Sequence, residues 1–595
     1  MSSYGSRNEV PLQEKWNLSD LYSDLTLWKE DCSVIEKTVD ELAEYEEQII
    51  NGFSLYSFLK KKEELSFLFN KVYAFAMLKV DEDTRETKSQ SLLDTAKQLS
   101  VKASAATSFF MPFLLSLDES KLKTYIAEEP KLSYFEQDLF DSFRYKKHIL
   151  NKDQEQILSQ LGEALSVPSH TFGMINNADI KFGDVTNEEG EQIELTRGMY
   201  AKLIEDENRD KRREAYKAYY KPYVQLKNSI ASTLSAAIKN NVTLAKLRKY
   251  PSALEKSLFG DLVPKEVYQN LISTTKDNID SLHQYTKIRK EKLAVDELRQ
   301  YDLSVPLVSG VKQVISYEAA YDIMCKALAP LGEEYVKTLK EFKESRYIDV
   351  RETPGKRSGA YNLGVYGVHP FILLNHQDDL DSLFTLVHEC GHGVHSKLSS
   401  LHQPQITARY SIFVAEVAST VNEVLLINYL LANEEDSEVK KHLVNHFIDQ
   451  FKGTFFTQVM FAEFEMKTHE MAEKGLPLNV DVFNETYESL FREYNGPDVV
   501  FDDEVKFGWT RIPHFYRPFY VYKYATGFAS AIHIATKILE GDQELLSDYL
   551  SFLSSGSSDY PLELLKKTGV DLTTPDPIGN SLEKFKELVE EFSQL

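Results

Sequence analysis

Two histidines stand four residues apart in His388-Glu389-Cys390-Gly391-His392. On a helix that spacing places both imidazoles one above the other on the same face. There they can converge on one tetrahedral metal ion, zinc above all. Glu389 falls about 100° round the same helix, beside the ion and not on it. A carboxylate in that place can take a proton from water acidified by the metal, because zinc lowers the pKa of its bound water to ~7. The pentad is short and has two free positions, so the weight lies on what surrounds it.

Gln377-Asp378-Asp379-Leu380-Asp381-Ser382 reads as a helix start, with Asp378 as the N-cap and acidic residues at the positive end of the dipole. Leu380, Leu383, Val387, Val394 and Leu398 share one apolar sector at ~100° per residue, which would fix the helix in a core. Inside a helix Gly391 and Gly393 each cost about 1 kcal/mol relative to Ala. Two such costs imply a close neighbour, a partner helix or a substrate.

A catalytic zinc site needs a third protein ligand and an open position. His395 shares the face of His388, but seven residues rise about 10.5 Å. A place behind the ligands or on the substrate side suits it better. The apolar segment 413–423 carries Glu416 and Glu423 on one face, with Ser419 and Thr420 between them. A carboxylate in so apolar a helix needs a cation or a donor. Glu416 is therefore assigned as the third ligand, and Glu423 as acceptor for the N–H of a ligand imidazole. The competing reading of this pair is a half-exposed surface face. His442 and His446 are also four apart, but Lys440 and Lys441 precede them and no Glu follows His442, so they read as a solvated face.

Residues 507–527 are dense in His514, Tyr516, Tyr520, Tyr522 and Tyr524. Peptide hydrolysis passes through a tetrahedral oxyanion, which a His or Tyr donor can stabilise. The competing reading is an aromatic core round a Pro-broken helix. Tyr516, Tyr520 and Tyr524 fall at spacing four as one stripe, while Tyr522 points elsewhere.

The elements that must position these residues are mostly helices. The segment 42–99 alternates polar and apolar residues at helical spacing with almost no Gly or Pro, which suggests an up-and-down arrangement. A β-hairpin is expected from Ala178–Phe182 and Gln192–Leu195, across the polar turn 186–190. A second strand-like patch spans 347–374, with 347–350 and 371–374 as its strands. Helix resumes after 378, broken at 475–477 and between 495 and 518. The expected fold is mostly α, with a small β-sheet beside the motif helix. The expected division is an N-terminal helical lobe over 1–200, carrying the hairpin near its end, and a catalytic domain over 201–595.

The 595 residues are 42% hydrophobic and 27% charged, enough for a large core, and carry a formal charge of -24. That sign argues against nucleic acid or an anionic membrane as partner. No run of ~20 apolar residues stands out as a membrane span, and the start shows no signal-peptide pattern. Three scattered cysteines, Cys32, Cys325 and Cys390, point to a reducing, cytoplasmic compartment. A homo-oligomer stays open.

Taken together, Pro370–Asn375 leading into His388–Ser396, the segment Phe413-Val414-Ala415-Glu416, the run 513–522 and the opening Trp16-Asn17-Leu18-Ser19-Asp20-Leu21-Tyr22 resemble the oligoendopeptidase F group of thimet-oligopeptidase-like zinc metallopeptidases. The similarity spans nearly the whole chain. It implies a two-lobed helical body with a deep central cleft, one zinc ion per chain, and endoproteolysis of short cytosolic peptides. By position, His388, His392 and Glu416 match the family's zinc ligands, Glu389 its base, and His514 and Tyr522 its oxyanion and substrate-orienting residues. One family tyrosine falls on Phe519, which leaves its role to Tyr520 or Tyr516. Gly359-Ala360-Tyr361 fits a strand edge to which a peptide can add through backbone hydrogen bonds, blind to side chains. The rivals are a related zinc carboxypeptidase or dipeptidyl carboxypeptidase, and a peptide-binding protein with a structural metal.

Overall fold

Between Pro11 and Pro112 there is no proline and one glycine. The chain there forms three long helices, Leu25–Ala43, Gly52–Glu82 and Thr87–Ala106. Asp24 caps the first by accepting from the Thr26 and Leu27 N–H groups, and Asn51 with Ser54 forms a capping box on the second. The structure, a computed structural model, describes residues 4–186, 191–308 and 313–595. Its elements are mostly helical, with three small sheets among the described residues.

The chain divides into two compact units, each built from three stretches. One comprises Met1–Lys152, Lys312–Leu426 and Ile534–Thr568; the other Asp153–Val311, Ile427–His533 and Gly569–Leu595. Neither is a single run of sequence, so the units cut the chain differently from the expected linear boundary near 200.

In the first unit the long helices share a core with the segment Trp16–Tyr22 and with Phe371 and Leu373. Trp16 meets the Phe371 ring edge-on at 6.4 Å, and its indole N–H donates to Glu82 Oε1 at 2.9 Å. Strand Pro370–Leu373 is buried throughout and sits between two neighbours. It pairs parallel with Ile348–Asp349 and antiparallel with Tyr361–Gly364, which is left at the edge. Below the sheet, Asp349 is buried between Lys356 Nζ at 2.8 Å and Arg7 Nη1 at 3.0 Å. Burial opposes its charge, yet the two cations hold its carboxyl below the ordinary range.

The motif helix runs Leu380–His402 and lies on this sheet. Its cap is Asp379, whose side chain accepts from the Ser382 N–H, and not Asp378. Asp378 instead takes a left-handed φ of 60° and pairs with Arg351 Nη1 at 2.8 Å. Leu383, Val387 and Val394 are wholly buried, and so is Cys390; Leu380 and Leu398 are half-buried. A Cβ on Gly391 would lie 2.7 Å from Ser419 Cα and 2.9 Å from the Ala418 carbonyl oxygen. A Cβ on Gly393 would lie 2.7 Å from the Phe342 ring and 3.1 Å from Ile372 Cδ1. The two glycines thus admit a helix backbone on one face, and Phe342 of the helix Glu333–Glu344 with Ile372 of the sheet on the other.

In the second unit the hairpin is Asp184–Thr186 against Gln192–Glu194. The expected turn at 187–190 lies outside the described residues. The expected strand Ala178–Phe182 does not form: a π-helical turn, Ile175–Asp179, takes its first two residues and 180–183 carry no strand; a parallel pair, Leu298–Arg299 with Val499–Val500, had no signal in the sequence. His442 and His446 are half-buried, not on a solvated face, because Leu443, Val444, Asn445 and Phe447 around them are core residues. By length and composition alone two helical stretches, Thr87–Ser116 and Ile412–Asn433, are apolar enough to cross a membrane, though neither is an unbroken apolar run; the second has most of its apolar window buried.

Gly391→Ala removes a poor helix former, which alone would stabilise by about 1 kcal/mol. Because the methyl meets backbone and not a movable side chain, a net loss of about 1–3 kcal/mol is expected in urea unfolding.

Candidate active site

The motif helix and the apolar helix Ile412–Asn433 meet through backbone at Gly391, and that contact brings their polar residues together. Asn422, wholly buried, donates from Nδ2 to the Val387 carbonyl at 3.3 Å and accepts from the Tyr335 hydroxyl at 2.9 Å. This clamp, not singled out from the sequence, sets the register of the two helices. In that register Glu416 Oε2 stands 3.4 Å from His388 Nε2 and 3.4 Å from His392 Nε2. In a tetrahedral site with bonds of about 2.0–2.1 Å, donor atoms stand roughly 3.3 Å apart. The spacing of His388, His392 and Glu416 therefore fits a zinc ion, and these three form the one such cluster among the described residues.

The surrounding groups orient these donors. Glu423 Oε1 lies 2.6 Å from His388 Nδ1 and accepts its proton, which turns the Nε2 lone pair toward Glu416. Ser419 donates to Glu416 Oε2 at 3.0 Å. Burial works against a charged His388, but Glu423 and Glu416 outweigh it and raise its affinity for a proton. Burial likewise opposes the Glu416 charge, and the two imidazoles pull its carboxyl well below the ordinary range. A cation held by all three donors satisfies the same electrostatic demand.

Glu389 differs from its neighbours. It is 7% exposed, and its Oε2 is buried with no hydrogen-bond partner among the described residues. Burial raises its carboxyl above the ordinary value, against the pull of His388 and His392. A carboxylate with one unused oxygen and a raised pKa is a stronger proton acceptor than an ordinary surface carboxylate.

His395 does not hydrogen-bond to the ligand residues, as a role behind them would require. Its ring stacks on Tyr410 at 3.6 Å and 6°, and burial, then His392, holds its pKa down to about 3. It is a neutral packing group. Tyr410 in turn hydrogen-bonds Ser396 Oγ at 3.0 Å, and Asn362 Nδ2 donates to the same Oγ at 2.9 Å. The edge strand is thereby tied to the motif helix. Gly359, at φ 83°, bends the chain into that strand, and its carbonyl accepts from Asn375 at 2.8 Å. Ala360 is half-buried beside it. The Tyr361 hydroxyl is anchored on Asp81 at 2.5 Å.

The aromatic segment belongs to the second unit. His514, Tyr520 and Tyr524 cluster there, with His514 6.2 Å from the Tyr520 ring and 6.3 Å from that of Tyr524. The Tyr524 hydroxyl donates to that of Tyr520 at 3.4 Å. Burial, then Arg517, lowers the His514 pKa, so its ring is neutral near pH 7. Tyr522 corrects the sequence assignment. It is wholly buried against Tyr268 at 5.1 Å, and burial drives its phenol pKa far up, so its hydroxyl is not presented to a substrate. Tyr516 is also committed elsewhere, stacked on Phe172 at 4.3 Å and bonded to Thr233 at 2.7 Å. The cause is helical phase: 520 and 524 are one turn apart at the start of helix Tyr522–Leu539, and 522 faces away from both. The turn before it carries Phe519 at φ 55°, and buried Glu465 accepts the Phe519 N–H at 3.1 Å.

Comparison with known proteins gives this geometry a family. The model of peptidase family M3 matches residues 202–584, and that of oligopeptidase F matches 114–182. Oligopeptidase PepF of Bacillus subtilis is 40% identical over 590 residues, which cover 99% of this chain and 88% of that protein. The plasmid-encoded oligoendopeptidase F of Lactococcus lactis subsp. cremoris is 37% identical over 592 residues, 99% of this chain and 98% of that one. The crystal structure of oligoendopeptidase-F from Enterococcus faecium superposes with a TM-score of 0.75 at 34% identity, covering 96% of this chain and 98% of the other. The chain belongs to peptidase family M3. It is an enzyme, a metallo-oligopeptidase, and its full-length resemblance within the family is to oligoendopeptidase F.

Glu423→Ala leaves His388 free to rotate and is expected to weaken metal binding by about 10–100-fold, read by chelator competition.

Proposed function

We propose that this chain is a zinc-dependent endopeptidase that cuts short oligopeptides internally, with Glu389 as general base. The observation that carries this reading is Glu416 Oε2 at 3.4 Å from both imidazole Nε2 atoms, with the unpartnered Glu389 oxygen on the adjoining turn. His388, His392 and Glu416 would hold one zinc ion. When bound, zinc acidifies water and polarises a carbonyl. Glu389 takes the proton of the attacking water as the carbon–oxygen bond forms. It then passes that proton to the leaving nitrogen as the carbon–nitrogen bond breaks. The family resemblance assigns the oxyanion donor to His514, and because Tyr522 is buried the tyrosine role is carried over to Tyr520 or Tyr524. The free edge of Tyr361–Gly364 receives the peptide backbone, which accounts for broad side-chain tolerance. Three cysteines that form no disulfide suit a cytoplasmic enzyme.

Glu389→Gln is expected to keep stoichiometric zinc by elemental analysis while losing about 10²–10⁴-fold in kcat. Wild-type-like turnover by that variant would overturn the assignment. A peptide blocked at both ends separates endopeptidase from carboxypeptidase, since internal fragments by mass spectrometry arise from the former alone. Tyr520→Phe should lower kcat by about 10²–10³-fold, as for loss of an oxyanion donor. Tyr522→Phe should leave it near wild type, and the reverse order would return the donor role to Tyr522.

A further inference from the structure

A cavity of about 480 Å³ opens within the second unit, walled by helices Arg197–Leu203 and Arg209–Gln225 and by residues around 452–461 and 511. That volume suits a small ligand or a few residues of peptide. Its charge runs against the rest of the chain. Arg197, Lys452 and Arg511 line it, against one carboxylate, Glu205, in a protein of net charge -24.

The cations are under-neutralised. Arg511 donates from Nε to the Tyr220 hydroxyl at 3.1 Å and makes no ion pair among the described residues. Lys452 Nζ donates to the Leu303 carbonyl at 2.5 Å, and its pKa is brought down to about 8 by burial and then by Arg289, against Asp449. Walled-in cations with so little opposing charge are costly. Lys452 stands on the π-helical turn Phe451–Phe456, whose wider winding is closed by Thr457 Oγ1 donating to the Lys452 carbonyl at 2.7 Å. Such turns are rare and concentrate at functional sites. The remaining wall mixes tyrosines and phenylalanines with aliphatic side chains and a few neutral polar ones, and Tyr200 stacks on Tyr219 at 3.9 Å. Cations over a tyrosine-lined floor match a ligand with an anionic head and an apolar or aromatic body, and a guanidinium fork matches a carboxylate.

We propose that this cavity binds the carboxylate of a small ligand with an apolar or aromatic body, through Arg511 and Lys452. That chemistry is shared by the C-terminus of a peptide and by a free carboxylic acid. The site is built wholly from the second unit and does not depend on the metal reading.

Calorimetry on the full chain tests it. N-acetylphenylalanine is titrated against its amide, and an N-acetylated tripeptide with a free C-terminus against its amidated form, in the Glu389→Gln background with the peptide recovered intact. The acids are expected to bind, and the amides about tenfold or more weakly. Arg511→Gln and Lys452→Met should each remove that preference, with thermal melting confirming that each variant is folded; the lysine change preserves the packing stem if the arginine change does not fold. Tighter binding of the tripeptide acid assigns a peptide C-terminus, and tighter binding of N-acetylphenylalanine assigns a free acid. Equal binding of acid and amide, a preference that survives the Lys452 variant, or binding of inorganic phosphate with neither acid would overturn the proposal.

Discussion

Everything in the candidate metal site rests on two helices touching through backbone. At Gly391 the motif helix has no side chain, and the Ala418–Ser419 stretch of its partner occupies that space. Ordinary helix pairs keep axes 8–10 Å apart because side chains intervene. Here the missing Cβ lets a carboxylate on one helix reach both imidazoles on the other, and Asn422 fixes the register by bonding the Val387 carbonyl. The Gly393 face performs the same service for Ile372 of the sheet and for Phe342 of the helix Glu333–Glu344, which fill the space. The helix-propensity cost of two glycines is thus the condition for a site assembled from separate segments.

This dependence explains what could be read from the sequence. The spacing of His388 and His392 and the seven-residue interval of Glu416 and Glu423 are local properties of helices, and local periodicity carries them into three dimensions. The two glycines announced a close neighbour for the same reason. What stayed hidden was tertiary. Asp378 looks like a cap until Arg351, distant in sequence, draws it into an ion pair and leaves Asp379 to cap. His395 has ligand chemistry but sits where Tyr410 offers a ring. The strands at 298–299 and 499–500 are two residues each, too short to leave any alternation. The expected division near 200 follows the linear chain, whereas the compact units each collect three stretches of it.

The aromatic segment shows the same limit at finer grain. Resemblance placed Tyr522 among the functional residues, and composition could not distinguish it from Tyr520 or Tyr524. Position relative to the turn at Phe519 decides. That residue holds a left-handed conformation uncommon for a bulky side chain. Its amide donates to Glu465, a buried carboxyl whose pKa desolvation pushes well up. A non-local acid therefore sets the phase of the following helix, and with it which phenols face inward. The spacing within 507–527 sets Tyr522 apart from Tyr520 and Tyr524, but it does not say which side of that division is buried.

Cys390 lies between Glu389 and Gly391, wholly buried, with its thiol pKa driven up by burial. In that position it is neither nucleophilic nor reachable. It becomes reactive only when the motif helix parts from its surroundings. The enzyme thus carries, one residue from its proposed base, a chemical clock for its own opening. The rate at which an alkylating reagent consumes this thiol reports how often the catalytic helix is released, a local stability distinct from that of the whole chain.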